Sequence, residues 1–251
     1  MSGHSKWSSI KHKKGAADAK RGQLFSKLAR AIIVAAREGG GDPGSNLALQ
    51  NAIEKARSYS MPKDNIERAI ARGAGGDGDG ESYDHIVYEG YGPSGVALIV
   101  EALTDNRNRT AAEVRHIFAK HDGSLGGSGA AAHLFERQGI VLVPAEGVDE
   151  DELTLTAADG GAEDVARDGS SFEVSSAPED LSSVREAIEG AGFEIESVEV
   201  ALVPKTTVTV EDETTARKVL RLVDALEEND DVQDVYANFD IPEAVLETAA
   251  T

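Results

Sequence analysis

The sequence predicts a multidomain α + α/β protein: an N-terminal three-helix domain, then two α/β (α+β sandwich) domains, one inserted in the other. Apolar residues recur at helical spacing throughout residues 16–73. After the glycine-rich stretch 73–81, segments typical of strands alternate with segments typical of helices as far as residue 242. Two prolines, Pro144 and Pro204, each follow a predicted strand, and the segment that they bracket could fold as a unit by itself.

The first predicted helix, residues 16–38, separates an apolar arc from a cationic arc. At 100° per residue, Leu28 and Ile32 share one arc, and Lys27 and Arg30 lie on the opposite one. One face of this helix is therefore expected to pack, and the other to present cations.

Two further helices complete the predicted N-terminal domain. The first covers residues 46–60, with Ser45 as its N-cap. The second covers residues 61–73, with Pro62 at the first helical position and Gly73 as the residue that ends it.

The rest of the chain divides into predicted strands and helices. Strands are expected at residues 85–92, 95–103, 140–144, 170–178, 195–204, 205–210 and 232–242, and helices at 109–123, 149–158, 160–166, 179–192 and 214–230. These elements predict a basic helical domain at 1–76, a central α/β domain formed by 77–135 and 205–242, an inserted α/β domain at 136–204 and a tail at 243–251.

Charge is distributed very unevenly along the chain, whose formal net charge is −20. Residues 1–76 contain 14 basic and 6 acidic residues, a net charge of +8. Residues 77–251 contain 11 basic and 39 acidic residues, a net charge of −28. A solubilising or salt-adapted surface would explain the second block alone. The first block indicates a polyanionic partner that is met through residues 1–76.

The strongest signal within that block is the stretch HSKWSSIKHKK, in which the single tryptophan lies between lysines. Lysines neutralise phosphates and release counterions, and an aromatic ring can stack on a base. The predicted nucleic-acid contacts of the N-terminal domain are Lys6, Trp7, Lys11, His12, Lys13, Lys14, Lys20, Arg21, Lys27 and Arg30. No helix with base-reading side chains is evident, so backbone binding is favoured over sequence reading. The alternatives are a disordered basic tail without a specific partner and a mitochondrial presequence.

A second candidate site is the turn LTDNRNRTAAEVRH, residues 103–116, which passes from a predicted strand into a predicted helix. Arg107 and Arg109 at this turn, with Thr110 as N-cap and Glu113 completing a capping box, could bind phosphate. The alternative is that these arginines pair with nearby acids. The following loop DGSLGGSG could form a backbone amide nest for an anion, or could simply be mobile.

Several kinds of site are not indicated by the sequence. There is no cysteine, and the six histidines lack zinc-ligand spacing, so no metal site is predicted. Three G-x-G-x-x-G matches lack the required strand–turn–helix context, and no carboxylate pair suggests acid–base catalysis. We therefore expect no cofactor and no enzymatic activity, and no apolar run long enough to span a membrane is present.

Four segments carry a resemblance to a known family: GHSKWSSIKHKKGAADAKRGQLFSKLAR, MPKDNIERAIARG, YEGYGPSGVALIVEALTDNRNRTAAEVRH and FERQG. They resemble the YebC family of probable transcriptional regulators, which includes the mitochondrial translational activator of cytochrome oxidase. The resemblance extends from residue 3 to about residue 242. It implies three domains and a cytoplasmic, non-enzymatic protein that acts as a DNA-binding regulator or as a ribosome- or mRNA-associated translation factor relieving stalling.

The resulting expectation is a monomeric, nucleic-acid-binding regulator of gene expression, with DNA, rRNA or mRNA as partner and the ribosome as a further one. RNA is favoured over DNA, because recognition by shape and stacking needs no base-reading helix. Two alternatives remain from other classes: a protein-interaction scaffold and a small-ligand binder, each using the acidic α/β domains.

Overall fold

The structure is a computed structural model that describes residues 18–75, 83–242 and 244–246. The described residues group into two compact units. The first contains residues 28–75 and 137–202, and the second contains residues 18–27, 83–136 and 203–246. The predicted domain boundaries stay a prediction.

Three α-helices come first in the chain, α1 (Asp18–Gly39), α2 (Leu47–Ser58) and α3 (Lys63–Ala74). They are followed by β1 (Asp84–Tyr91), β2 (Ala97–Thr104), α4 (Arg107–Lys120), β3 (Ser124–Leu125), β4 (Phe135–Pro144), α5 (Glu150–Asp159), β5 (Ala162–Asp168), β6 (Ser171–Ser176), α6 (Leu181–Gly190), β7 (Ser197–Pro204), β8 (Val208–Thr209), α7 (Glu213–Glu227), β9 (Val232–Ala237) and β10 (Phe239–Asp240). Short 3-10 turns lie at Pro93–Gly95 and Ala132–Leu134. A helical N-terminal part followed by antiparallel sheets confirms the predicted multidomain α+β fold class.

The prediction of the cap of α2 is wrong by one residue. Asn46, not Ser45, is the N-cap, and its Oδ1 accepts a hydrogen bond of 3.0 Å from the backbone N–H of Leu49. The Asn46 Nδ2 also donates to the carbonyl oxygens of Ala35 and Gly40, both at 2.8 Å. A serine hydroxyl could not make all three bonds, which is why the amide holds this position.

Gly73 does not end α3, as the sequence had suggested, but lies inside the helix where α3 meets α1. A Cβ atom at this position would lie 2.4 Å from the carbonyl oxygen of Ile33 and 2.7 Å from the Cβ of Ala36. The absence of a side chain therefore lets the two helix backbones approach closely.

The first unit also contains a four-stranded sheet in the order β5–β6–β4–β7, with α5 and α6 packed on it. Their shared core includes Val141, Leu153, Phe172 and Ile188. Both β5 and β4 pair with β6 in antiparallel register.

The helix predicted at residues 160–166 is wrong, because residues 162–168 form β5. Alanine and glutamate in this stretch favour helix locally. Pairing with β6, which places Val165 opposite Val174, overrides that preference by completing a ladder of backbone hydrogen bonds.

The second unit is built on a sheet in the order β3–β1–β2–β9, with each neighbouring pair antiparallel. Helices α4 and α7 share one core with this sheet, in which Leu98 of β2, Phe118 of α4 and Leu222 of α7 are fully buried. A short parallel pair, β8 with β10, adjoins the same core. The two helices therefore form a layer whose outward side carries their exposed residues.

Candidate nucleic-acid interface

Most of the predicted N-terminal contacts fall within residues 6–21 of the sequence. Lys6, Trp7, Lys11, His12, Lys13 and Lys14 lie outside the described residues. Lys20 and Arg21 lie in the first turn of α1. These predicted contacts stay a prediction.

Lys27 is used within the molecule, at the C-terminal end of α7. Its Nζ donates to the carbonyl oxygen of Glu227 at 2.6 Å, and Gln23 Nε2 donates to the carbonyl of Glu228 at 2.8 Å. The last carbonyl groups of a helix lack partners in the helix, and a cation there also complements the helix dipole. Helical periodicity had placed Lys27 on the outward cationic arc, and only the tertiary contact shows this role. Arg30, one turn further on, is half-buried.

Arg109 lies in a network around the carboxylate of Asp231, whose side chain is only 8% exposed. Asp231 Oδ2 accepts from Arg109 Nη2 at 2.7 Å, from Thr110 Oγ1 at 2.7 Å and from Thr104 Oγ1 at 3.1 Å. Arg109 Nη2 also lies 2.8 Å from Asp105 Oδ1. The network therefore ties the N-terminal turn of α4 to the end of β2 and to the residue before β9.

Electrostatics at this network favour the ionised pair. Burial by itself would raise the pKa of Asp231, but hydrogen bonds from Arg109, Thr110 and Thr104 outweigh burial and lower that pKa below its ordinary value. Hydrogen bonds to Asp231 and Asp105 raise the pKa of Arg109 above its ordinary value. The guanidinium of Arg109 is therefore already matched by two carboxylates.

Arg107 differs from Arg109 in that its contact is loose and exposed. Its Nε lies 3.8 Å from Asp84 Oδ2, and the two side chains are 68% and 55% exposed. Exposed pairs of this kind contribute little free energy and are screened by salt. Arg107 is consequently the arginine of this turn that can exchange its partner for a phosphate at small cost.

The cap predicted for α4 is also wrong. Thr110 is buried within the helix, and the N-cap is Asn106, whose Oδ1 accepts from the backbone N–H of Arg109 at 3.1 Å. The helix begins at Arg107, so Glu113 is not positioned to complete a capping box. Instead, Glu113 accepts a hydrogen bond from Asn229 at 2.8 Å.

An amide nest is formed by the last glycine of the loop DGSLGGSG together with two alanines that follow the loop, and an anion of the same chain occupies it. The carboxylate of Glu89, on β1, accepts from the backbone N–H groups of Gly129, Ala131 and Ala132 at 2.6, 2.6 and 2.7 Å. Burial alone would raise the pKa of Glu89, but these three bonds, with His133 nearby, lower it below its ordinary value. This nest is therefore a structural feature and holds the loop on the sheet.

Sequence reasoning missed a group of exposed cations on the outward side of α4 and α7. Counting charges over residues 77–251 as one block concealed it, because that block is strongly acidic. Counting charges element by element would have found it.

Among the residues that the structure describes, no helix combines the length and the hydropathy that a membrane span requires. Within the same residues, no group of three or more histidine, aspartate or glutamate side chains could hold a metal ion.

Fold and charge together define a class: a multidomain α+β protein whose basic helical N-terminal part precedes two antiparallel sheets in an acidic remainder. A family model described as "TACO1/YebC protein N-terminal domain" matches residues 5–76, and one described as "TACO1/YebC second and third domain" matches residues 83–239. The chain therefore belongs to the TACO1/YebC family.

Individual relatives agree with this assignment. A "Probable transcriptional regulatory protein" from Rubrobacter xylanophilus is 58% identical over 250 residues, covering 100% of both chains. A protein of the same name from Persephonella marina is 55% identical over 248 residues, covering 98% of this chain and 99% of its own. The crystal structure of a conserved hypothetical protein, Aq1575 from Aquifex aeolicus, has a TM-score of 0.80 and 52% identity, covering 90% of this chain and 93% of that chain. The family is thus one of proteins named as regulators.

Proposed function

We propose that this protein is a nucleic-acid-binding regulator of gene expression that acts in the cytoplasm, through transcription or as a ribosome-associated translation factor, and is not an enzyme. The observation that carries the proposal is the segregation of charge. Residues 1–76 have a net charge of +8 in a chain whose remainder has −28. An acidic body repels phosphates, so a polyanion is directed to the basic part.

The residues proposed to contact nucleic acid are those of the sequence prediction, with roles adjusted to their surroundings. Lys6, Lys11, Lys13, Lys14, Lys20, Arg21, Arg30 and Arg107 would contact phosphates, and Trp7 and His12 would stack on bases. Lys27 and Arg109 would act by positioning, because Lys27 binds the end of α7 and Arg109 binds Asp231.

The test compares the full-length protein with a variant in which Lys11, Lys13 and Lys14 are all changed to Gln. Affinity for a fluorescent single-stranded RNA would be measured by anisotropy over a series of salt concentrations. Each phosphate contact contributes about 0.7 to the slope of log affinity against log salt for single strands. The variant should therefore lose roughly 2 from the slope, and bind more weakly at low salt.

A matched control removes three exposed cations of the acidic part: Arg137, Arg167 and Lys205, each changed to Gln. It should bind as the wild type does. Wild-type binding that does not change with salt, or a triple lysine variant that binds like the wild type, would contradict the electrostatic mechanism. Binding of a partner that survives deletion of residues 1–30 would instead favour a protein-interaction scaffold.

A second measurement distinguishes the two kinds of nucleic acid. Co-sedimentation of the full-length protein with ribosomes would be compared with its gel shift of duplex DNA of mixed sequence. We expect the ribosomal interaction to be the stronger, since shape and stacking suffice for RNA. The reverse order would favour a role on DNA.

A further inference from the structure

The acidic part of the chain contains one region whose charge has the opposite sign, the layer of α4 and α7. Seven of the 11 basic residues of residues 77–251 lie in these two helices, together with only four of the 39 acidic residues. The two helices therefore have a net charge of +3, whereas the rest of residues 77–251, with 4 basic and 35 acidic residues, has −31.

Contacts at both ends fix α4 and α7 side by side. Lys218 Nζ of α7 lies 2.8 Å from Oδ2 of Asp122, just after α4, and Asn229 Nδ2, just after α7, lies 2.8 Å from Glu113 Oε2. The C-terminal end of α4 thus meets the N-terminal half of α7, and the helices run antiparallel. Their outward sides form one continuous surface, because their inward sides share a single core with the sheet.

Cations converge where α4 ends. Lys120 is the last residue of α4, and Arg221 lies one turn after Lys218, whose Nζ contacts Asp122 just beyond the same end of α4. Burial lowers the pKa of His121, and the charges of Lys120 and Arg221 lower it further, in keeping with this placement. Lys120 and Arg221 are exposed, and neither forms an ion pair with any residue that the structure describes. The acid at this position, Asp122, is already bound by Lys218.

The surface extends one turn back along α4, where His116 is exposed and has no ion-pair partner among the described side chains. We call His116, Lys120, Lys218 and Arg221 the α4–α7 cationic surface. Unlike Arg109, whose charge is matched by Asp105 and Asp231, Lys120 and Arg221 are available to an external anion.

The chemistry of this surface selects an extended anion over a small one. Its side chains are exposed and spread over two helices, so a small anion would meet only one or two of them. A strand of phosphates can meet several at once, and the guanidinium group of Arg221 can bind a phosphate through two hydrogen bonds. We propose that the α4–α7 cationic surface is a second contact site for the phosphate backbone of nucleic acid, separate in sequence from residues 1–76. This inference rests on the proposed function.

The test is a double variant of the full-length protein, Lys120→Gln with Arg221→Gln. The matched control, Arg167→Gln with Lys205→Gln, removes the same charge from exposed positions outside the surface. All three proteins would be titrated against a single-stranded RNA of 20 nucleotides and against duplex DNA of equal length, at several salt concentrations. Thermal unfolding would be recorded for each. We expect the double variant to keep the wild-type midpoint because its changed side chains are exposed, and the control to have a slightly lower one because the Arg167 guanidinium lies 5.7 Å from the centroid of the Phe172 ring.

Two phosphate contacts contribute about 1.4 to the salt slope on a single strand, which corresponds to about 25-fold in affinity at 0.1 M salt. We expect the double variant to lose affinity and slope on this scale while the control keeps both. The comparison of RNA with DNA then identifies which backbone the surface prefers.

Three results would overturn the inference, and they are distinguishable. If the wild-type protein binds neither probe at low salt, the proposed function is refuted together with the second site. If wild-type binding is salt-sensitive but the double variant binds as tightly as the wild type, or the control loses as much affinity as the double variant, only the second site is refuted. A wild-type dimer at low salt that the double variant fails to form, with unchanged RNA binding, would show that the surface binds the acidic part of another copy.

Discussion

The carboxylate of Glu89 is predicted to hold the glycine-rich loop, and the substitution Glu89→Gln tests this with almost no change of shape. Glu89 Oε1 accepts one backbone N–H, from Gly129, and Oε2 accepts two, from Ala131 and Ala132. A glutamine can keep its oxygen at the position of Oε2. Its NH₂ group then faces the N–H of Gly129, so a donor meets a donor in a partly buried site.

The size of the effect follows from these three bonds. A hydrogen bond to a charged group contributes about 1.5–3 kcal/mol and a neutral one about 0.5–1.5 kcal/mol. Gly129 is exposed, so values near the lower ends of these ranges apply. Losing one charged bond should then cost about 1.5 kcal/mol and making each of the other two neutral about 0.75 kcal/mol, which lowers the free energy of opening the loop by about 3 kcal/mol. Because 1.4 kcal/mol corresponds to a factor of ten, the open population should rise about 100-fold.

Amide hydrogen exchange measures this opening at the residues concerned. In the Glu89→Gln variant, the amides of Gly129, Ala131 and Ala132 should exchange about 100-fold faster than in the wild type. Glu211→Gln, which changes an exposed carboxylate of the same unit, should leave them unchanged. Wild-type exchange rates at these three amides in Glu89→Gln would show that the carboxylate does not hold the loop.

The dependence on pH has a defined sign. The pKa of Glu89 is lower in the folded protein than its ordinary value of 4.5, so its stabilising contribution is fully present above about pH 4.5. The contribution is lost as the pH falls through the lowered pKa. Protection of the three loop amides should therefore fall with acidification in the wild type. In the Glu89→Gln variant, which has no carboxylate at this position, acidification should not cause this loss of protection.

Two further substitutions test contacts within the two units. Gly73→Ala should lower the free energy of unfolding by about 1–3 kcal/mol, because its Cβ would lie 2.4 Å from the Ile33 carbonyl oxygen. The control Gly22→Ala has open space around its Cβ and should raise the free energy of unfolding by up to about 1 kcal/mol. Equal denaturation midpoints for the two variants would contradict the close approach of α1 and α3. Asp231→Ala should lower the free energy of unfolding by about 2 kcal/mol, because Arg109, Thr110 and Thr104 lose the acceptor that they share. The difference between variant and wild type should shrink as the pH falls through the lowered pKa of Asp231, where the wild type loses the same charge. Equal denaturation midpoints at neutral pH would show that the network does not stabilise the unit.

The sequence was sufficient wherever a structural decision depends on neighbours a few residues away. The spacing of Val114 and Phe118, one helical turn apart, places both on the buried side of α4. The strand predicted at residues 95–103 matches β2 closely, because apolar residues on both of its faces require burial on both. The charge of residues 1–76 is likewise visible in the sequence, since it is a sum over adjacent positions.

The sequence-based predictions were wrong where two local conformations have similar free energies. Ser45 and Asn46 are both good N-caps, and the choice fell to Asn46 because its amide also reaches the carbonyls of Ala35 and Gly40. Residues 162–168 favour helix by composition, yet they form a strand because β6 offers them a partner. In both cases the deciding group lies outside the range of helical or strand periodicity.

The sequence by itself determined the fold class, most of the elements and the presence of a basic part in an acidic chain, because these follow from periodicity and composition. Only the tertiary structure decided what each charge does. Arg109 meets Asp231 from 122 positions away, and Glu89 meets its amides from 40 to 43 positions away. A charged side chain stabilises the fold when folding brings a distant partner within hydrogen-bond distance, and it stays available to other molecules when folding brings none. The spacing of residues along the chain does not specify that partner.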